Sequence, residues 1–250
     1  MVVQEKAMAV QALTFDTGGT VLDWHTGFRE ALREAGANVG VRDKDWAALA
    51  NELRRRSLAR VVNLGEHEPP KVNFDDVHRL TLDEILKENG LDALTEDDRR
   101  AIWWTSVHNF RCWPDFPDVL PKLRERYICA SFTILSHRIV IDTARANGLS
   151  WDAVISCEAI GKYKTLPESY ATAAKFLQLD PSEILMVACH NFDLDAAKRA
   201  GFKTAFVRRP HEYGSERGPP DPVPSAHHDL VVETFGELAA VLCGTAAASS

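Results

Sequence analysis

Four groups capable of chemistry stand just past short apolar runs or beside a helix start in this chain. Asp16 follows Ala12-Leu13-Thr14-Phe15, Ser136 follows Phe132-Thr133-Ile134-Leu135, Lys164 precedes a helix that Pro167 can start, and Asp193 follows the run Ile184–Ala188. If the runs are buried parallel strands, these groups gather at the carboxyl edge of a sheet, where open α/β folds place their ligands. A carboxylate such as Asp16 can act as a nucleophile, forming an ester that water opens later, provided neighbours orient it and stabilise the leaving group. Gly18 and Gly19 let backbone amides approach a ligand closely, and Thr20 can hydrogen-bond locally. Ser136, with helix-start amides behind it, suits a substrate carboxylate or phosphate, and reads equally well as a helix cap. Lys164 can anchor an anionic substrate and hold the Asp16 charge, while Asp193 can bind a metal, position Lys164 or activate water. A hydrolase triad on Ser136 and His137 is set aside, because adjacent side chains rarely reach each other and the chain has no Gly-x-Ser-x-Gly.

The elements that must position these groups follow from periodicity. From Trp113 onward, β-rich runs at 130–135, 153–155, 184–188, 204–207 and 230–232 alternate with helical stretches at 140–147, 167–177, 194–200 and 235–242. Strands spaced by helices of this length predict right-handed βαβ units and a parallel sheet. The first strand belongs to that sheet, yet about ninety residues of helical pattern separate it from the next. Gly27 to Ala35 could begin the first helix; Trp46, Leu49 and Leu53 recur at helical spacing, as do Val77, Leu80, Leu82 and Ile85, then Ile102, Trp103, Ser106 and Phe110. Glu66-His67-Glu68-Pro69-Pro70 breaks the pattern, Thr95 caps a helix with acids in its first turn, and the prolines of 219–224 stiffen a surface loop. The expected organisation is α/β: a discontinuous core of 1–24 and 113–245, an inserted helical domain at 25–112, and a frayed tail at 246–250.

Composition narrows the partners. The 29 basic and 36 acidic side chains leave a formal charge of −7, which argues against nucleic acid or an anionic membrane surface. Hydrophobic residues at 45% and charged residues at 26% are ordinary for a soluble globular protein. Five cysteines without a Cys-x-x-Cys pair predict neither a disulfide framework nor a zinc knuckle. Met1-Val2-Val3-Gln4-Glu5-Lys6 does not begin a leader peptide, and no apolar run reaches membrane-spanning length, so a soluble, cytoplasmic protein is expected.

Taken together, an apolar strand ending in Asp-x-x-Gly-Thr, a strand ending in Ser136, Lys164 ahead of Pro167, and a strand followed by Asp193 resemble the haloacid dehalogenase superfamily. The resemblance spans nearly the whole chain and includes 120–126, Ala196–Gly201 and the Arg208–Gly214 segment. The helical insertion resembles the four-helix cap of the 2-haloacid dehalogenase branch. It implies a Rossmann-like sheet as core, Asp16 as nucleophile, Thr17, Gly18, Ser136, His137 and Phe192 at the substrate, and Lys164 holding the substrate carboxylate with Ser136. A cap arginine receives the halide in that branch, which falls on Arg54, with Arg55 and Arg56 as register alternatives. Asp193, helped by Lys164 and His190, would activate the hydrolytic water, and Phe110, Trp103 and Trp104 could wall the site.

The superfamily's phosphoryl-transferring members carry a second Asp two places past the nucleophile and a Gly-Asp pair for Mg²⁺. Gly18 and Ala188-Cys189 occupy those positions here. A thiol is a poor ligand for a hard cation. The dehalogenase branch usually has an aromatic at Gly18, Asn at His137 and Ser-Asn or Ala-His at Cys189-His190. The resemblance therefore implies metal-independent hydrolysis of a short 2-haloacid, with no cofactor and dimerisation through the cap helices. A Mg²⁺-dependent phosphatase, a phosphonate hydrolase using a cap lysine (Lys71 and Lys87 lie at a loop and a helix end) and a non-catalytic relative binding a small carboxylate are the alternatives.

Overall fold

The computed structural model describes residues 10–244; the expected tail at 246–250 and the opening Met1–Lys6 lie outside the described residues. Six parallel strands form one sheet in the order β3-β2-β1-β4-β5-β6. They are β1 (Ala12–Phe15), β2 (Ile128–Thr133), β3 (Ala153–Ser156), β4 (Ile184–Ala188), β5 (Lys203–Val207) and β6 (Leu230–Val232). Every residue of β1 is buried, and it pairs with Ile128–Ser131 on one side and Ile184–Val187 on the other. A strand covered on both faces has to be apolar throughout, which explains the continuous runs. Strand order reverses at β1, so the crevice past its carboxyl end is the topological switch point of the sheet.

Between β1 and β2 come α1 (Trp24–Asn38), α2 (Trp46–Val61), α3 (Phe74–Glu88) and α4 (Glu96–Arg100). Their starts are set by Asp23, Asp45, Asn73 and Thr95, each accepting a first-turn N–H, and the last two form capping boxes with Asp76 and Asp98. Val77, Leu82 and Ile85 face inward on α3 as their spacing predicts, but Leu80 is exposed. The periodicity from Ile102 to Phe110 predicts a regular helix, and here the structure differs. Ala101–Ser106 widens into a π turn and Val107–Asn109 tightens into a 3₁₀ turn. The Ser106 hydroxyl donates to the Ile102 carbonyl (2.9 Å) and the Asn109 amide to that of Thr105 (2.8 Å), so side chains compete for the backbone acceptors of this stretch.

The helical segment leaves and rejoins the sheet layer through one clasp. Leu22 bridges Cys112 in antiparallel fashion, the Asp23 N–H donates to the Arg111 carbonyl (2.8 Å), and the Trp113 N–H donates to that of Val21 (2.9 Å). Beyond it lie α5 (Leu120–Arg124), α6 (His137–Asn147), α7 (Cys157–Ile160), α8 (Pro167–Leu177), α9 (Asn191–Arg199) and α10 (Phe235–Cys243). Four-residue α7 is too short to leave a periodic signal. β2 stops at Thr133, two residues before the expected end, because the Thr133 hydroxyl accepts the Leu135 N–H (3.2 Å) and turns the chain. α6 then starts directly after Ser136. All five cysteines are free, and among the described residues no helix is long and apolar enough to cross a membrane.

Candidate active site

Asp16 lies one residue beyond β1, its N–H donating to the Val187 carbonyl of β4 (2.9 Å), which fixes it at the switch point. The side chain is buried. Oδ1 accepts one bond from Lys164 Nζ (3.2 Å), while Oδ2 accepts from the Thr20 hydroxyl (2.7 Å) and from His190 Nδ1 (3.2 Å). Burial pushes the Asp16 carboxyl up, but the Lys164 charge, the hydrogen bond and charge of His190 and the Thr20 hydroxyl hold it well below the usual carboxylate range. Asp16 is therefore an anion, with Oδ1 its less encumbered oxygen.

Lys164 is delivered by a loop. Gly161 ends α7 at φ 73°, and the returning chain is tied to the segment after α2: the Tyr163 N–H donates to the Leu64 carbonyl (2.9 Å), and the Asn63 N–H donates to that of Lys164 (3.0 Å). Gly65 makes this approach possible, since a Cβ there would fall 2.2 Å from the Gly161 carbonyl oxygen. The Lys164 ammonium is 2% exposed, sits 4.7 Å from the Phe132 ring centroid and donates to Asp193 Oδ2 (2.7 Å). Burial works against its charge, but Asp193 and Asp16 hold its proton more tightly than usual. The other Asp193 oxygen accepts from the Tyr170 hydroxyl of α8 (2.7 Å). Burial raises the Asp193 carboxyl, Lys164 pulls it down and Asp16 pushes it up again, leaving it above the usual range and basic beside an acidic-range Asp16.

His190 precedes α9 and links two carboxylates: Nδ1 faces Asp16, and Nε2 lies 2.9 Å from Glu212 Oε1. Glu212, 1% exposed, also accepts from Trp24 Nε1 (2.9 Å). Burial disfavours charge on the ring, but Cys189, Glu212 and the Asp16 hydrogen bond outweigh it and raise His190 well above its ordinary value. Glu212, for its part, is pushed up by burial and brought below the usual range by His190, Arg54 and Trp24. The tight turn is a condition of this contact: Gly19 has φ 97°, and a Cβ there would stand 2.1 Å from Glu212 Oε1.

Of the four arginines on α2, only Arg54 is buried; its Nη2 donates to the Gly18 carbonyl (3.1 Å), its guanidinium lies over Trp24 at 5.5 Å, and its buried Nε has no hydrogen-bond partner. Arg55 pairs with Glu52, and Arg56 with Glu52 and Glu88, at the surface. A Cβ at Gly18 would make ordinary 3.7 Å contacts with Arg54.

The remaining expected site residues have partners of their own. The Ser136 hydroxyl caps α6 by accepting the Ile139 N–H (3.2 Å) and donates to Asp75 Oδ2 from α3 (2.5 Å). His137 turns to Glu158, its N–H at 3.0 Å and its ring Nδ1 at 3.3 Å. Thr17 spends its hydroxyl on Ser131 of β2 (2.8 Å), inside the sheet layer. Phe192 is 38% exposed and stacks on His190 at 5.3 Å. Phe110 packs edge-on against Phe28, Trp104 stacks on His108, and Trp103 is partly buried beside Trp104, so these aromatics pack within the helical segment.

Tyr170, Glu212, Trp24 and Asp75 are parts of the site that sequence reasoning missed. The available signals were a tyrosine in the first turn of the helix after Lys164 and an acid in the segment following β5. Asp75 carried no signal, being one of two acids in an ordinary helix start.

A family model described as haloacid dehalogenase-like hydrolase matches residues 10–201. The chain is 28% identical over 217 residues to (S)-2-haloacid dehalogenase 1 of Pseudomonas sp. (strain CBS-3), covering 82% of this chain and 88% of that protein. Among solved structures, a defluorinating L-2-haloacid dehalogenase matches with TM-score 0.85 at 32% identity, over 94% of this chain and 95% of the other. A second L-2-haloacid dehalogenase matches with TM-score 0.85 at 30% identity, over 94% of this chain and 100% of the other.

Proposed function

The chain belongs to the haloacid dehalogenase-like hydrolase family, and we propose that it hydrolyses short 2-haloalkanoic acids of the haloacetate or 2-halopropionate type through an ester on Asp16, without a metal. The observation that carries this reading is an anionic Asp16 whose Oδ1 has a single partner, on a loop whose Gly18 carbonyl is gripped by the buried Arg54. The names of the similar proteins support the same chemistry.

In the first step Asp16 Oδ1 attacks the halogen-bearing carbon, the C–O bond forms as the C–halogen bond breaks, and the bonding pair departs with the halide. No proton donor is needed, which suits the absence of a side chain at Gly18. Arg54 receives the halide, its unpartnered Nε being a donor ready for an anion. In the second step water attacks Cγ of the ester, and Asp193 takes its proton, with Lys164 and Tyr170 holding that carboxylate in place. Negative charge then develops on Oδ2, where the Thr20 hydroxyl and His190 Nδ1–H already donate. Collapse releases the 2-hydroxyacid, whose alkoxide takes the proton from Asp193, and the regenerated Asp16 gives up the second water proton to solvent. Cys189 offers sulfur where Mg²⁺ would want oxygen.

In this reading residues 25–112 form a cap over a core of 1–24 and 113–245. The substrate carboxylate competes with Asp75 for the Ser136 hydroxyl. The test is halide release from chloroacetate and 2-chloropropionate in metal-free buffer. Wild type releases halide and Asp16→Asn releases none; turnover in ¹⁸O-water places the label in Asp16. Phosphate release from a phosphoester with Mg²⁺, and no halide, would overturn the reading.

A further inference from the structure

We infer that Cys189, His190 and Glu212 form a binding site for a zinc-class divalent ion, and that filling it slows the ester hydrolysis proposed above. The metal site stands on geometry alone; the inhibition rests on the dehalogenase reading.

One ligand atom from each of the three residues lies within 4.8 Å of the other two. Cys189 Sγ and His190 Nε2 are 3.4 Å apart, His190 Nε2 and Glu212 Oε1 2.9 Å, and Cys189 Sγ and Glu212 Oε2 3.7 Å. Bond lengths of about 2.3 Å to sulfur and about 2.1 Å to nitrogen and oxygen, at tetrahedral angles, give edges of about 3.4 to 3.6 Å. The ring and the carboxylate need to separate by about half an ångström, and the carboxylate has to turn so that a single oxygen faces both the sulfur and the ring. A mixed sulfur, nitrogen and oxygen set favours zinc-class ions over Mg²⁺.

The surroundings supply what such ligands usually have. His190 Nδ1 faces Asp16 Oδ2 at 3.2 Å, the carboxylate–imidazole arrangement that aims Nε2 at a metal. Trp24 Nε1 steadies Glu212 at 2.9 Å. Cys189 and Glu212 are 6% and 1% exposed, so the set is rigid before an ion arrives. A cavity of about 230 Å³ lies beside Cys189 and is lined in part by Phe206, Arg208, Arg209, Pro210 and Asp221. The ion displaces the thiol proton and the Nε2 proton to solvent, and thiolate and carboxylate balance its two charges.

Filling the site moves the ring whose Nδ1 faces Asp16 Oδ2 at 3.2 Å, because Nε2 has to draw back from Glu212 Oε1 by about half an ångström. A donor drawn off its hydrogen-bond geometry supports the developing oxyanion less, so ester hydrolysis slows.

Cobalt(II) tests the site spectroscopically. Wild type titrated with Co²⁺ is expected to bind one equivalent with a thiolate-to-cobalt charge-transfer band in the near ultraviolet. Zn²⁺ erases the band and lowers steady-state halide release at least about tenfold, equivalent to about 1.4 kcal/mol. Cys189→Ser loses the band, while Cys129→Ser keeps both the band and metal-free halide release. No band, or a band that survives in Cys189→Ser, overturns the site. A band in wild type with unaltered halide release under Zn²⁺ overturns the inhibition alone. If metal-free protein releases no halide at all, the dehalogenase reading fails while the cobalt spectrum still decides the site.

Discussion

The two oxygens of Asp16 are not equivalent, and the proposed division of labour between attack and oxyanion stabilisation follows from who touches each. Oδ2 is fully engaged by Thr20 and His190, and Oδ1 meets only Lys164, which is shared with Asp193. The hydroxyl of Tyr170 bears on the second step. Tyr170→Phe leaves Asp193 Oδ1 buried without that donor, a loss of about 1–3 kcal/mol. Because alkylation of Asp16 does not use Asp193, the variant is expected to show a burst of one halide per active site followed by a steady rate about tenfold or more below wild type. Rapid-quench halide measurement checks this, and an equal loss in burst and steady rates would remove Asp193 from the water step. Asp16, Lys164 and Asp193 were legible in the sequence because polar groups bounding apolar runs are visible without a fold. Tyr170 and Glu212 were not, because periodicity says that a side chain is buried but not which atom its polar end meets.

At the scale of elements, α2 shows how a helix resolves what a sequence leaves open. Three successive arginines point about 100° apart, so one faces inward at most. Leu53 and Ser57 flank the buried stripe and carry Arg54 with it. Arg55→Ala and Arg56→Ala remove only surface ion pairs, worth at most about 1 kcal/mol, and are expected to leave halide release within about twofold of wild type. Arg54→Lys keeps the charge but loses the planar fork, including the bond to the Gly18 carbonyl. A charged hydrogen bond is worth about 1.5–3 kcal/mol, so kcat/KM is expected to fall about 10- to 100-fold. Michaelis–Menten halide assays on the three variants decide the register. The parallel sheet was legible because doubly covered strands are apolar throughout. The π and 3₁₀ turns of 101–109 were not, because Ser106 and Asn109 divert backbone acceptors within a stretch whose apolar spacing still looks helical.

Across the whole molecule, Asp75 ties three elements together. From α3 it accepts from Ser136 ahead of α6, and it meets His108 Nε2 at 3.1 Å, whose other nitrogen lies 2.8 Å from Asp142 of α6. Burial pushes the Asp75 carboxyl up, but the His108 and Ser136 hydrogen bonds bring it below its ordinary value; Asp142 is lowered as well, by Arg138 and His108 against its own desolvation. A carboxyl depressed in the fold stabilises above its unfolded value, about 3.9, and that contribution is lost as pH falls through the folded value. The contribution of Asp75 is therefore expected to be level near neutrality and to decline below about pH 4. In Asp75→Asn the acid decline should be shallower than in wild type. Urea melts from neutral pH to pH 3 check this, and parallel pH curves for the two proteins would show that Asp75 takes no part.

The clasp at Leu22 and Cys112 has a consequence for how such a protein can change. About ninety residues depart and return between two backbone positions already hydrogen-bonded to each other, so the sheet layer meets the helical segment through a fixed gap. The entropy of closing a loop across that gap grows only with the logarithm of its length. Helices between Asp23 and Arg111 can therefore be lengthened, shortened or exchanged without moving Asp16 or Asp193, provided that the 63–65 segment holding the Lys164 loop is kept. Arg54 and Asp75 travel with the exchanged piece, while Asp16, the proposed nucleophile, and Asp193, its proposed partner for water, remain behind. Evolution, or a designer grafting a different helical cassette, can thus change the helical side of the site and leave these two sheet-borne carboxylates in place.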